Sequence, residues 1–495
     1  MTDASAQSPE RDAELAPAAA EAREWMLDEA VCHRAMQSRD PRFDGRFFIG
    51  VLTTGVFCRP VCPARTPRPG NVRFYPTAAA AQDAGFRPCL RCKPETARRV
   101  PEWSVASDAV VRALRLIDAG YLNDRAASQL AEEIGLSTRQ LNRLFRDHLG
   151  TTPLSVARMQ RLQIARRLID SSHLTLASVA MHAGYGSVRR FNDEFRRVYR
   201  CPPSALRRAA HKGQPTIELK LPVTEPYDRG WMIGFLAARR LPGVEEVSDD
   251  VYQRSLPLQG GGHAWLRARF GAGCLELEIP ADTAEPVSRL VPRIRRVFDL
   301  DADGAAIQAH LEADPELGQW ARSRPGLRVP GAWDGFETAV RAVLGQQVSV
   351  ERARRLATAM IERYGQGRFP SPGDLVDADV SEIGMPGNRG EAVRQLAAAV
   401  LDGRVALDEC QSHAALTEEL CALRGVGPWT AGYIAMRVVK HPDAFLESDW
   451  VVLKVLDCKP AEARRRAEAW RPWRAYALML LWWASSQART ETRGT

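Results

Sequence analysis

Hydrophobic and polar positions change rhythm twice along the chain of 495 residues, and each change marks a new kind of structure. The run Phe47-Phe-Ile-Gly-Val-Leu-Thr-Thr-Gly-Val-Phe57 is rich in β-formers and broken by a glycine turn, which predicts a hairpin ending at residue 58. From Val105 to Arg208 the pattern is helical and contains two similar units. A third part begins near Ile217 with strand-like material, including Glu276-Leu-Glu-Ile279, and then becomes helical. Polar, Pro- or Gly-containing stretches at Lys93–Ser107 and Ala210–Thr216 read as joints. The expected layout is a flexible tail over 1–25, a small domain over 26–98 and a helical domain over 105–210. An antiparallel β subdomain over 216–300 and a helical core over 301–490 complete a multidomain α+β chain. Its length fits about three to four domains.

Composition narrows the setting. With 45% hydrophobic and 26% charged residues and no apolar run of membrane-spanning length, the chain reads as globular and not membrane-bound. Its first twenty residues lack a basic stretch followed by an apolar one, so no secretory signal is expected. Ten cysteines, six of them dispersed, argue for a reducing compartment, hence a cytoplasmic location. A formal charge of +8 favours a polyanionic partner, although surface composition alone also accounts for it.

The other four cysteines carry chemistry. Cys58-Arg-Pro-Val-Cys62 and Cys89-Leu-Arg-Cys92 form two elbows joined by 26 residues. Thiolates three or four positions apart converge on one tetrahedral ion, so Zn2+ is the expected cofactor. A redox pair fits less well, because it needs one Cys-x-x-Cys rather than two. Scattered core cysteines are the bland alternative. At about 70 residues this segment has little core of its own, so metal binding would supply much of its folding free energy.

In the helical part, Gly135 and Ser137 mark a helix-turn-helix whose second helix carries Arg139, Gln140, Asn142 and Arg143. The second unit repeats this with Ser187 before Arg189, Arg190 and Asn192. Arg, Asn and Gln pair with guanine and adenine edges in the major groove, which points to double-stranded DNA. Solvated helix faces are the competing reading. In the third part, Leu423-Arg-Gly-Val-Gly-Pro-Trp-Thr-Ala431 places Gly425 and Gly427 in a tight turn between helices and Pro428 in the next first turn. Such a hairpin aims backbone N–H groups at a phosphate; a plain helical corner has the same look. Soon after comes Phe445-Leu-Glu-Ser-Asp449-Trp450, with a carboxylate at the start of a helix, where an N-cap alone would also suffice.

Together the hairpin and Asp449 resemble the helix-hairpin-helix DNA glycosylases, and specifically the AlkA branch that removes alkylated purines such as 3-methyladenine. Other matching pieces are Trp231-Met-Ile-Gly-Phe-Leu-Ala-Ala-Arg239, Arg324-Pro-Gly-Leu-Arg-Val-Pro-Gly331, Ala342-Val-Leu-Gly-Gln-Gln-Val-Ser349 and Trp473-Arg-Ala-Tyr-Ala477. The resemblance implies that Asp449 stabilises the positive sugar as the base departs. It also implies that Phe235, Trp429, Tyr433, Trp450 and Trp482 surround the flipped base; singly, each aromatic is equally a core residue. The position of a Schiff-base lysine in strand-cutting relatives is Trp429, so no lyase step is expected. Beyond Cys421 only Cys458 remains, so no iron–sulfur cluster is expected. Gln347 stands where the branch has a leucine wedge filling the gap left by the flipped nucleotide.

The cysteine elbows, within Thr53–Cys62 and Ala84–Cys92, look like the N-terminal half of the Ada family, and the helical part like its AraC-type DNA-binding module. That likeness implies that Cys58 accepts a methyl group from a DNA phosphotriester, with Cys62, Cys89 and Cys92 as companion zinc ligands. Four thiolates on one divalent ion leave a net charge of minus two, which repels phosphates; methylating one reduces the repulsion. The implied protein is an alkylation-triggered transcription activator that acts on promoter DNA and engages RNA polymerase. The Pro-Cys-His-Arg motif of a further Ada domain is absent, and the nearest string is Val31-Cys-His-Arg34. Three functional readings follow. They are a fused sensor, regulator and excision enzyme; a purely regulatory protein whose third domain only grips DNA; and a glycosylase with an inert zinc module.

Overall fold

A computed structural model describes residues 28–40, 43–94, 108–172, 174–207, 216–408 and 411–491. The predicted tail at 1–25 and most of both joints fall outside these residues. The chain forms two compact units, Met1–His211 and Lys212–Thr495.

In the first unit, helix α1 (Glu29–Ser38) precedes a four-stranded sheet of β1 (Phe48–Val51), β2 (Val56–Cys58), β3 (Val72–Tyr75) and β4 (Arg87–Pro88), ordered β3-β1-β2-β4. The expected hairpin is present, with Ile49 opposite Cys58 and Val51 opposite Val56. Helix α2 (Ala78–Asp83) joins β3 to β4. Strand β4 runs parallel to β2, pairing Val56 with Arg87 and Phe57 with Pro88, and Cys89 N–H donates to Phe57 O at 3.0 Å. Both cysteine elbows therefore leave one sheet edge side by side.

The remaining helices of this unit are α3 (Asp108–Asp118), α4 (Ala127–Ile134), α5 (Thr138–Leu149), α6 (Pro153–Ser171), α7 (Leu176–His182) and α8 (Val188–Tyr199). Small alanines on α2 let it approach α6, and Phe48, Phe57, Ala78, Ala79 and Ala81 share a buried cluster with Met159. Polar ties reinforce the contact, including Thr151 Oγ1 to Asp83 at 2.6 Å and the Lys93–Asp170 ion pair at 3.0 Å. The sheet region thus borrows apolar surface from the helices, which offsets the thin core of so short a segment.

The second unit opens with a five-stranded antiparallel sheet of β5 (Thr216–Pro222), β6 (Glu245–Ser248), β7 (Val251–Pro257), β8 (His263–Phe270) and β9 (Cys274–Pro280), ordered β5-β9-β8-β7-β6. In β5, β7 and β9 buried and more exposed residues alternate, as expected where one face meets a core. Helix α9 (Arg229–Arg239) crosses from β5 to β6. Among the helices that follow, those that build the site are α10 (Gly335–Leu344), α11 (Val350–Met360), α12 (Gly387–Leu401), α13 (His413–Cys421), α14 (Pro428–Val439), α15 (Trp450–Leu456) and α16 (Arg474–Glu491). Two clusters fill the helical part: one gathers α10 to α14 around Val343, Leu396 and Ile434, the other packs α15 and α16 around Val452, Leu478 and Trp470. No helix among the described residues is long and apolar enough to cross a membrane.

Candidate functional site

The sulfurs of Cys58, Cys62, Cys89 and Cys92 all lie within 4.8 Å of one another. Four Zn–S bonds of about 2.3 Å would set tetrahedral sulfurs about 3.8 Å apart, so a donor set this compact suits Zn2+. Backbone N–H groups point at the sulfurs: Arg59 N–H donates to Cys92 Sγ at 3.4 Å. Hydrogen bonding with Cys58 lowers the Cys62 thiol to about 7, while hydrogen bonds to Cys62, Cys89 and Cys92, with burial, push Cys58 well up. Thiols this close share either protons or a cation. Arg59, next to Cys58, is held by Asp44 through a bond from Nε at 2.7 Å. The rival thiol is different in kind: Cys32 is buried among Met36, Phe47 and Ile49, and burial, aided by Asp28 and Glu29, pushes it to about 12. A thiol so rarely ionised is a poor nucleophile.

In the two helix pairs, Gly135 and Gly184 turn the chain at φ +82° and +87°, and Ser137 and Ser187 cap the helices that follow. An added Cβ at Gly184 would stand 2.6 Å from Asn123, so contact as well as conformation demands glycine there. Arg139, Arg143, Arg189 and Arg190 are exposed, and Asn142 and Asn192 are half-buried beside them. Gln140 is exposed but occupied, because its Oε1 accepts from Ser137 N at 3.0 Å and from Ser137 Oγ at 2.7 Å. It completes a capping box. Asp193 stands 4.0 Å from Arg189, a loose exposed pair that leaves the arginine available.

Asp449 caps α15, its Oδ1 accepting from Val452 N at 3.0 Å. It also receives two indole N–H bonds, from Trp482 to Oδ1 at 3.1 Å and from Trp429 to Oδ2 at 2.9 Å. Only 5% exposed, it lines a cavity of about 800 Å3. Trp429 and Tyr433, four apart on α14, stack with ring centroids 5.5 Å apart and 6° between planes; Trp482 of α16 is tilted against Tyr433 at 6.3 Å. Phe235 lines the same space. A fixed carboxylate beside flat aromatic faces suits a positive sugar next to a planar base.

Trp450 does not join this group. Its ring is 62% exposed, outside the cavity, with Lys454 Nζ 5.2 Å from the ring centre. Successive helical residues point about 100° apart, and it is Val451 that reaches the cavity wall.

Beside the cavity the α13–α14 hairpin turns at Gly425, φ +89°, where an added Cβ would lie 2.7 Å from Ala392 Cβ. Gly427 is the N-cap of α14 and Pro428 its first residue. Gln346, which sequence reasoning passed over, ties the hairpin to the end of α10: its amide donates to Gly425 O at 2.9 Å and to Thr430 Oγ1 at 3.1 Å. Its neighbour Gln347 is exposed at φ +54°, a left-handed conformation uncommon for a side chain of this kind.

Sequence reasoning also missed two arginines. Arg239 lies over Phe235 at 3.7 Å, and Arg437 lies 4.9 Å from the same ring while donating to Tyr433 Oη at 2.7 Å. Burial opposes ionisation of the Tyr433 phenol, but the guanidinium groups of Arg437, Arg239 and Arg341 outweigh it and draw its pKa below the ordinary value. The i, i+4 spacings Phe235–Arg239 and Tyr433–Arg437 were the available signal.

Comparison with known proteins assigns these regions. Family models match the metal binding domain of Ada over residues 31–95, a helix-turn-helix domain over 130–209 and the AlkA N-terminal domain over 218–334. A Mycobacterium tuberculosis protein described as a probable bifunctional transcriptional activator/DNA repair enzyme AlkA is 42% identical over 475 residues, covering 91% of this chain and 95% of that protein. DNA-3-methyladenine glycosylase 2 of Escherichia coli is 35% identical over 271 residues, 52% of this chain and 94% of the relative. The bifunctional transcriptional activator/DNA repair enzyme Ada of Escherichia coli is 39% identical over 138 residues, 28% of this chain and 37% of that protein. With its Ada-like metal centre, paired helix-turn-helix units and AlkA-like cavity, the chain belongs to the family of bifunctional transcriptional activator/DNA repair enzymes of the AlkA type.

Proposed function

We propose that this chain excises alkylated purines such as 3-methyladenine from double-stranded DNA by monofunctional hydrolysis, and that it senses methylphosphotriesters by methyl transfer to Cys58, activating transcription. The observation that carries the first half is Asp449, a buried carboxylate held by two indole N–H groups on the wall of an aromatic cavity. As the bond from sugar C1′ to the purine nitrogen breaks, its electron pair leaves with the base. A base alkylated on a ring nitrogen departs neutral, so it needs no strong acid. Asp449 stabilises the cationic sugar, and water adds to C1′ and releases its proton to solvent. Phe235, Trp429, Tyr433 and Trp482 offer the flipped base its stacking faces. The Gly425–Gly427 hairpin holds a backbone phosphate, and the exposed Gln347 occupies the emptied stack.

In the first unit Zn2+, bound by Cys58, Cys62, Cys89 and Cys92, supplies the electrostatics that keep sulfur ionised at neutral pH. Cys58 Sγ forms the new bond to the methyl carbon as the methyl–oxygen bond breaks, and the phosphate leaves as an ordinary diester anion. Arg139, Arg143, Arg189, Arg190, Asn142 and Asn192 read promoter DNA. An activator at a promoter engages RNA polymerase, and a protein dependent on free thiolates works in the reducing cytoplasm.

The test pairs two measurements on one preparation. The purified protein is expected to release 3-methyladenine from methylated DNA, and Asp449→Asn to lower the rate by about 100-fold or more. After incubation with methylphosphotriester DNA, mass spectrometry is expected to place one methyl on the Cys58 peptide. Wild-type protein that releases no base returns the regulatory reading. Base release without the adduct leaves a glycosylase with an inert zinc module.

A further inference from the structure

Among the cations that line the cavity, Arg239 has no carboxylate opposite it among the described residues. Of the three guanidinium groups around Tyr433, that of Arg341 is paired with Glu245 and Glu337, each at 2.9 Å. Arg437 is spent on the Pro330 and Gly331 carbonyls and on Tyr433 Oη. Arg239 lines the cavity, and no carboxylate within ion-pair distance of it occurs among the described residues. Its side-chain hydrogen bonds are a long one from Nη1 to Phe235 O at 3.4 Å and one to Tyr433, out of five N–H donors. Phe235 lies under its guanidinium, with Cζ 3.7 Å from the ring centre. Burial, with Arg437 and Arg341 nearby, lowers its pKa to about 10, so it stays protonated at neutral pH. Tyr433 adds a second donor, because its oxygen accepts from both Arg437 and Arg239, which leaves its own hydrogen to give.

We propose that Arg239 is a specificity-determining residue that donates to the carbonyl or ring-nitrogen acceptor of the extruded base. It thereby draws into the cavity neutral lesions bearing a ring carbonyl and weakens the preference for cationic alkylpurines. The inference rests on the glycosylase reading of Asp449. A planar fork matches an acceptor edge, and a site built around a hydrogen bond discriminates strongly against bases that lack the partner. A cationic base meets the same guanidinium as a like charge.

The experiment uses the full-length protein under single-turnover conditions. Release of hypoxanthine from a duplex oligonucleotide, a neutral purine with a ring carbonyl, is compared with release of 3-methyladenine from methylated DNA. Arg239→Met preserves packing on Phe235 and removes charge and donors. The hypoxanthine-to-3-methyladenine rate ratio is expected to fall by about 10-fold or more, the loss expected of a charge-assisted hydrogen bond. A ratio within about 3-fold of wild type overturns the inference even if both rates drop together, since that is what mere support of Phe235 would produce. If Arg239→Met does not fold, as judged by thermal unfolding, the ratio is read on Arg239→Lys with the same threshold, because a lysine lacks the fork. Wild-type protein that releases 3-methyladenine but no hypoxanthine overturns this inference alone; release of neither overturns the glycosylase reading and this with it.

Discussion

Asp449 does two jobs with two oxygens. Oδ1 caps α15 through Val452 N–H and shares the Trp482 indole, while Oδ2 takes the Trp429 indole. A carboxylate with three N–H donors is fixed in direction before any sugar arrives, which is what electrostatic catalysis requires. Asparagine caps a helix nearly as well as aspartate, so Asp449→Asn removes the charge and keeps the cap, while setting an amide N–H against the Trp429 indole N–H. The indoles are separable from the charge. Trp482→Phe keeps an aromatic face beside Tyr433 and deletes one donor to Oδ1. Losing one hydrogen bond to a charged group costs about 1.5–3 kcal/mol. That cost falls on the folded state, so the melting temperature is expected to drop by a few degrees, and single-turnover base release to slow because the carboxylate loses part of its fixed direction; an unaltered rate would show that the indole only packs.

At the scale of elements, the hairpin between α13 and α14 depends on a residue that sequence reasoning identified and on a contact that it did not. Gly425 was legible because two glycines before a proline signal a tight helical turn. The close approach of Ala392, on α12, was not. Gly425→Ala is expected to destabilise the second unit by at least about 1 kcal/mol, since it combines a positive φ with a 2.7 Å clash against another Cβ. Thermal unfolding measures this, and a melting temperature equal to wild type would refute it. The same division runs through the rest of the chain. Cysteine spacing, serine caps and glycine turns are local, and they stand in the structure as the sequence suggested. The parallel pairing of β4 with β2, which brings Cys89 beside Cys58, joins residues 31 apart and left no local trace. Trp450 was placed at the base pocket by the family resemblance, yet helical geometry turns it out of the cavity. Gln140 has the right chemistry for a base edge, and its Oε1 is engaged in capping its own helix.

For the whole molecule, the described hydrophobic clusters follow the division into two units. The clusters around Phe47 and Phe57 use only residues of the first unit, and those around Val343 and Leu478 only residues of the second. The four cysteines lie in the first unit, so metal binding is expected to act on the folding of that unit. Four buried or half-buried thiols held within 4.8 Å of one another are a costly arrangement unless a cation satisfies them, so the metal's binding energy enters that unit's stability directly. Zinc removal by a strong chelator is expected to lower the melting transition of the first unit by several degrees or more and to abolish methyl transfer to Cys58. The second unit's transition and 3-methyladenine release should stay where they were, because the residues that line the Asp449 cavity belong to the second unit. Calorimetry on the intact chain, with base release assayed before and after chelation, reads both halves of the claim. Loss of base release in step with loss of zinc would mean that the excision chemistry draws on the metal centre after all.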